Sequence, residues 1–218
     1  MSVVNRLFAA NAQWASDVSK HEPGFFKESA KGQAPHTLWI GCADSRAPET
    51  VITGARPGDI FVNRNVANQF NTDDLSLLAV LKYAVDHLGV EHVAIVGHSN
   101  CGGAGACLAA ALSGSANHDG PIVTISSEPV DSELNRWLEP LTRIATSLPL
   151  ASVSEAEALQ LVVEANVKAQ VEKLASTEVI RSAWTKGTPK GQKVQIHGWV
   201  YDLSTGLLKD LNISRGPA

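Results

Sequence analysis

His92-Val93-Ala94-Ile95-Val96-Gly97-His98-Ser99-Asn100-Cys101-Gly102-Gly103 sets the fold class of this chain. The apolar, β-branched run reads as a buried strand, and the glycine pair as the turn into a helix. His98 and Cys101 then stand at the carboxyl end of a strand, where open α/β sheets hold their sites.

A second stretch has the same shape. His36-Thr37-Leu38-Trp39-Ile40-Gly41 is an apolar run that delivers Cys42-Ala43-Asp44-Ser45-Arg46. If the two strands are parallel neighbours, two thiolates and an imidazole converge at one sheet edge. Soft sulfur and nitrogen donors are what Zn²⁺ takes in a tetrahedral site, with Zn–S near ~2.3 Å. Each residue alone has a plainer reading, as a small buried hydrophobe or a core histidine. A structural zinc site would fill all four positions with protein. Here the fourth ligand is Asp44 or water, as an openable catalytic site requires. Arg46 is placed to hold Asp44 bidentately, although an ion pair at a strand end can also be purely structural.

Cys42-x-Asp44-Ser45-Arg46 followed by His98-x-x-Cys101-Gly102-Gly103 resembles the β-class carbonic anhydrases, and the resemblance runs from Asn11 to Leu211. It implies one Zn²⁺ per chain on Cys42, His98 and Cys101, and the reversible hydration of carbon dioxide to bicarbonate and a proton. Zinc lowers the pKa of bound water from ~15.7 towards ~7. Asp44 and Arg46 match the family's catalytic dyad, with Asp44 a metal ligand only in a closed state. Phe61, Val66 and Tyr83 fall on substrate-pocket positions, and Gln33 on the substrate-binding glutamine. The Gly102 backbone N–H, at a helix start, is placed to steady bicarbonate. The plainer readings are core for Phe61 and Val66 and ordinary surface for Gln33.

His87 matches a proton-shuttle histidine of some plant-type relatives. It also reads as a solvent-facing residue one turn after Tyr83. Trp39, Arg64 and Tyr201 match a non-catalytic bicarbonate pocket of the bacterial type. They read equally as two core aromatics and an arginine in the Arg64-Asn65-Val66-Ala67-Asn68 run. The resemblance also implies a substrate pocket completed between subunits, hence a homodimer or a dimer of dimers. Two competing functions use the same residues: hydration of another heterocumulene such as carbon disulfide or carbonyl sulfide, and a zinc-holding bicarbonate or CO₂ sensor with little turnover.

Composition fits a single domain over 1–218, with 1–31 as a helical arm: 218 residues, 44% hydrophobic and 18% charged. The net charge of -4 gives no case for nucleic acid or an anionic membrane, and no apolar run spans a bilayer. Three cysteines form no disulfide framework, and metal-binding thiolates suit a reducing compartment. The cytoplasm is expected over the mitochondrial matrix, because 1–20 is only mildly amphipathic. Cys107 reads as buried and inert. Gly102-Gly103-Ala104-Gly105 lacks the lysine and hydroxyl residue of a phosphate loop.

The expected fold is α/β: a mainly parallel central sheet flanked by helices, an antiparallel C-terminal hairpin edge and an N-terminal helical arm. Strands are expected at 36–42, 60–64, 92–98, 193–203 and 207–213. Helices are expected at 5–20, 25–31, 48–53, 73–88, 104–112, 132–146, 154–175 and 177–185, and a surface loop or insertion at 113–130.

Overall fold

Strand β1, Thr37–Cys42, is buried along its whole length because it has a neighbour on each side and packed side chains on each face. Its parallel neighbours are β2, Ile60–Asn65, and β3, His92–His98. The strand β4, Gln195–Asp202, continues the parallel set beside β3, and β5, Leu207–Asp210, turns back antiparallel at the edge. Among the described residues the sheet has five strands, in the order β2-β1-β3-β4-β5. From β1 the chain adds β2 on one side, then crosses to add β3 on the other. The β1/β3 boundary is therefore the topological switch point, and the crevice beyond its carboxyl ends is the expected site.

The structure is a computed structural model and describes residues 1–114, 120–150 and 152–217. The chain divides into two units, Met1–Ala34 and Pro35–Ala218. In the first, α1 (Val3–His21) is capped by the Ser2 hydroxyl, which accepts from the Asn5 N–H at 3.2 Å. No residue of α1 is buried, and Val3, Leu7 and Phe8 are well exposed. A short helix, α2 (Phe25–Ser29), sets Phe26 edge-on to Trp14, with ring centres 5.5 Å apart.

In the second unit the helices are α3 (Glu49–Thr53), α4 (Leu75–Lys82), α5 (Gly102–Leu112), α6 (Glu133–Thr146), α7 (Glu155–Ala175) and α8 (Glu178–Lys186). On one face of the sheet, Leu38, Ile40, Val93, Ile95 and Ile196 pack with Val163, Val167 and Val171 of α7 and Leu138 and Leu141 of α6. Each such fully buried side chain contributes about 1.5–3 kcal/mol. On the other face a smaller cluster joins Trp39, Ala94 and Val96 to Ile52, Ile60 and Trp199. Gly97 marks the closest approach of α7: a Cβ there would stand 2.8 Å from Val167 Cγ2, so α7 seats only on glycine.

Two expectations are corrected. The helix read as continuous over 73–88 is α4 followed by a π turn, Tyr83–Leu88, closed by Gly89 in the left-handed region at φ 65°. The loop expected at 113–130 is only partly loose. Residues 115–119 lie outside the described residues, but Ile122 is buried, the Thr124 and Thr142 hydroxyls lie 2.7 Å apart, and Asn135 Oδ1 accepts from the Ile125 N–H at 2.7 Å. Its polar residues read as loop, yet α6 supplies partners for them. Among the described residues, no helix is long and apolar enough to cross a membrane.

Candidate metal centre

The end of β1 presents Cys42 and the end of β3 presents His98. Asn100, in the left-handed region at φ 52°, then turns the chain so that Cys101 caps α5. The ligand atoms of Cys42, His98 and Cys101 all lie within 4.8 Å of one another, and all three residues are buried. His98 Nδ1 lies 2.9 Å from the Ser99 carbonyl and must donate to it, which leaves Nε2 as the bare lone pair. That Nε2 is buried and has no hydrogen-bond partner among the described residues. An unpaired buried nitrogen costs about 1–3 kcal/mol. Two thiols and an orphaned imidazole nitrogen fit a dication such as Zn²⁺.

The electrostatics agree. A hydrogen bond from Cys101 pulls the Cys42 thiol far below its ordinary range against the cost of burial. Cys101 is pushed up by donating that bond and by burial. The two sulfurs thus share one proton, which a dication would displace. Burial lowers the pKa of His98, but the adjacent negative charge of Cys42, the Ser99 carbonyl and the Asp44 carboxylate outweigh this and raise it.

Asp44 stands beside the centre, its Oδ2 3.7 Å from His98 Nε2. Arg46 grips it by two side-chain bonds, Nε to Oδ1 at 3.0 Å and Nη2 to Oδ2 at 2.7 Å, and by its backbone N–H at 2.9 Å. The side-chain bonds to Arg46 hold the Asp44 carboxyl well below the usual carboxylate range. Arg46 Nη2 also donates to the Asn100 carbonyl at 3.1 Å, so the dyad is tied to the loop between His98 and Cys101.

Other anticipated residues are distributed less tightly. Val66 Cγ1 lies 3.2 Å from where a Cβ on Gly103 would stand, next to the Cys101 turn, and a Cβ on Gly102 would meet open space. Phe61, Tyr83 and His87 form an aromatic run with ring separations of 5.8 and 5.4 Å. Phe61 is level with Leu38, not Cys42, on the order of 13 Å back along the strand at ~3.3 Å per residue. Within one chain, therefore, these rings are not brought to the metal group. Gln33 is exposed near the end of the first unit.

Trp39, Arg64 and Tyr201 share one sheet face by register, and the Trp39 indole lies over Gly41, the register partner of Arg64; among the described residues no hydrogen bond links the three. Tyr201 is two strands from Trp39, and its hydroxyl lies 3.9 Å from the Cβ position of Gly206 in the hairpin turn. Arg64 is committed elsewhere, donating to the Cys42 carbonyl at 2.8 Å and the Asp44 carbonyl at 2.5 Å. It braces the backbone that carries Cys42 and Asp44. Cys107 is buried, its thiol pushed up to about 11 by desolvation.

Sequence reasoning did not single out Trp137, Asn166 and Gln170. Trp137 Nε1 donates to the Val66 carbonyl at 2.8 Å, and Asn166 Nδ2 to the Ala67 carbonyl at 2.8 Å. Between them Ala67 and Asn68 sit in the left-handed region at φ 60° and 45°, which costs roughly 1–2 kcal/mol for each non-glycine residue. The legible signal was two amides, Asn166 and Gln170, on the apolar face of α7.

Comparison with known proteins agrees with this geometry. A family model described as Carbonic anhydrase matches residues 37–208. A carbonic anhydrase of Emericella nidulans is 36% identical over 214 residues, covering 96% of this chain and 83% of that protein. A Coccomyxa β-carbonic anhydrase solved with acetazolamide superposes with a TM-score of 0.82 at 32% identity, covering 100% of this chain and 90% of that one. One of two tetrameric β-carbonic anhydrases of Sordaria macrospora gives 0.78 at 35% identity, covering 99% and 98%.

Proposed function

The chain belongs to the β-carbonic anhydrases, and from that premise we propose a zinc enzyme that hydrates carbon dioxide reversibly, with Cys42, His98 and Cys101 holding one Zn²⁺. The observation that carries this is the buried, unpartnered His98 Nε2 facing two thiols, with the Asp44 carboxylate 3.7 Å away. Bound zinc supplies an acidified water, its pKa brought from ~15.7 towards ~7.

The chain's own groups do the rest. Arg46 fixes Asp44, so that its carboxylate accepts a hydrogen bond from the attacking water and aims a lone pair at CO₂. Arg64 and the Asn100 carbonyl keep the dyad in register with β1 and β3. Val66 walls the apolar pocket, and the Gly102 N–H steadies bicarbonate as it forms. Gln33 is assigned to substrate binding, and His87 to carrying the released proton outward.

Phe61 and Tyr83 complete the pocket of a second copy, which fits their distance from Cys42 in the same chain. The assembly proposed is a homodimer or a dimer of dimers, in keeping with the tetrameric Sordaria macrospora enzymes.

Stopped-flow CO₂ hydration across pH, with zinc measured on the same sample, tests the reading. Fast turnover with one zinc per chain is expected. One zinc per chain with no turnover at any pH would overturn it in favour of a sensor or another heterocumulene.

A further inference from the structure

We infer that Asn166 and Gln170 of α7 are positioning residues for the substrate pocket: they hold Ala67 and Asn68 in a strained turn so that Val66 keeps its place beside the metal centre. The inference rests on the proposed reaction for its kinetic consequence, but its structural half stands alone.

Two successive non-glycine residues in the left-handed region do not persist unless their surroundings hold them. Here the hold is visible. Asn166 Nδ2 donates to the Ala67 carbonyl at 2.8 Å, and Gln170 Oε1 accepts from the Phe70 N–H at 3.0 Å. Gln170 Nε2 donates to Asn166 Oδ1 at 2.7 Å, which fixes the orientation of the Asn166 amide. Both amides are buried one helical turn apart, on a face otherwise made of Val162, Val163, Val167 and Val171. Burying two amides there is costly unless every donor and acceptor is used.

The turn so held bears on the site. The Ala67 Cβ and Val66 Cγ1 lie 3.1 and 3.2 Å from the Cβ position of Gly103, at the start of the helix that Cys101 caps. The same helix, α7, presses Val167 and Val163 on Gly97, the residue before His98. One element thus sets both the metal ligand's strand and the pocket wall. The wall meets CO₂ in the ground state as much as in the transition state, so loosening it changes KM more than kcat.

The experiment compares wild type, Asn166→Ala, Gln170→Glu and the double variant Asn166→Ala with Ala67→Gly. Zinc content, CO₂ hydration kinetics and amide hydrogen exchange are measured for each. Asn166→Ala is expected to keep one zinc per chain, to raise KM for CO₂ about tenfold with kcat within about twofold, and to speed exchange at Ala67, Asn68, Gln69 and Phe70. Gln170→Glu keeps an acceptor for the Phe70 N–H but sets a buried carboxyl oxygen against Asn166 Oδ1 in place of the Nε2 donor, so the bond that orients Asn166 is lost. It is expected to act in the same direction at about threefold, and it decides the matter should Asn166→Ala not fold.

The sharpest arm is the double variant. Glycine adopts the left-handed turn without strain, so Ala67→Gly should restore most of the lost KM. A packing role predicts the opposite, because removing the buried Ala67 Cβ opens a void against Gly103. A double variant worse than the single one, or a loss confined to kcat, overturns the inference. If zinc-loaded wild type shows no hydration, the proposed reaction fails, and exchange alone decides the clamp: faster exchange in Asn166→Ala supports it, and unchanged exchange overturns it.

Discussion

Strand β3 begins with one histidine and ends with another, and the two ends differ in what their rings lack. At the amino end, His92 Nδ1 lies 3.1 Å from His197 Nε2, and His197 Nδ1 lies 3.1 Å from the Ser214 hydroxyl. His197 also stacks on Trp199, with ring centres 5.3 Å apart. At the carboxyl end, His98 spends Nδ1 on the Ser99 carbonyl and leaves Nε2 buried without a partner beside two thiols. Both rings belong to the same strand and the same sheet. A histidine bonded through its neighbours is structure, whereas one with a dry, unpaired nitrogen among soft donors is a ligand in waiting.

The contrast breaks most sharply if the ligand end is altered. Cys42→Ser should reduce zinc from one per chain to below about a tenth and cut CO₂ hydration by at least about a thousandfold. His92→Gln should leave both within about twofold, as elemental analysis and stopped-flow assay will show. Equal losses in the two variants would erase the distinction.

Arg46→Gln comes next. The metal ligands stay in place, but Asp44 loses the bonds that fix it, so kcat/KM should fall about 10²–10³-fold with zinc retained. Loss of zinc with activity would instead make Arg46 part of the metal's support.

Removing the metal is expected to lower stability by mass action, about 4 kcal/mol for a ligand held at a thousand times its Kd. For a chain of this size that is roughly a 10 °C fall in Tm. His197→Gln should show the same fall on chelation, because His197, on β4 beside the start of β3, takes no part in the site.

The smallest effect belongs to that His92–His197 end. Burial and the charge of His92 lower the pKa of His197 below its ordinary value of 6.5. The folded protein therefore takes up this proton less readily than the unfolded chain does. Stability should fall as pH drops through about 6.5 and level off once the folded-state value is passed. In a series of Tm measurements from pH 7.5 to 5, His197→Gln should flatten this slope; an unchanged slope would assign it to other groups.

Local sequence carried the strands and the grouping of Cys42, His98 and Cys101 well, because both depend on neighbours in the chain. A run such as Leu38-Trp39-Ile40 is buried on both faces wherever it is central, and Cys42 follows it directly. The π turn at Tyr83–Leu88 was not legible, since its residues also suit an ordinary helix. Nor was the turn at Ala67, where alanine has no preference for a left-handed backbone and the holding bond comes from Asn166. The bonds of Arg64 to the Cys42 and Asp44 carbonyls were not legible either, because backbone acceptors carry no signature in sequence. Segment 120–130 is the loop it reads as, but its anchors were hidden for the same reason: Asn135 and Thr142, which bond it, lie further along the chain.

The position of the switch point has a consequence for how the protein is made. Cys42 leaves the ribosome well before His98 and Cys101, and their strands become neighbours only after β2 and α4 have been laid down between them. The far edge of β3 is covered later still, by β4 near the end of the chain. A nascent chain thus offers single thiols to the cell but no chelating trio, and the trio stays wet until β4 docks. If the trio holds zinc as proposed, a chain stalled before Gln195 should take up the metal weakly and release it readily.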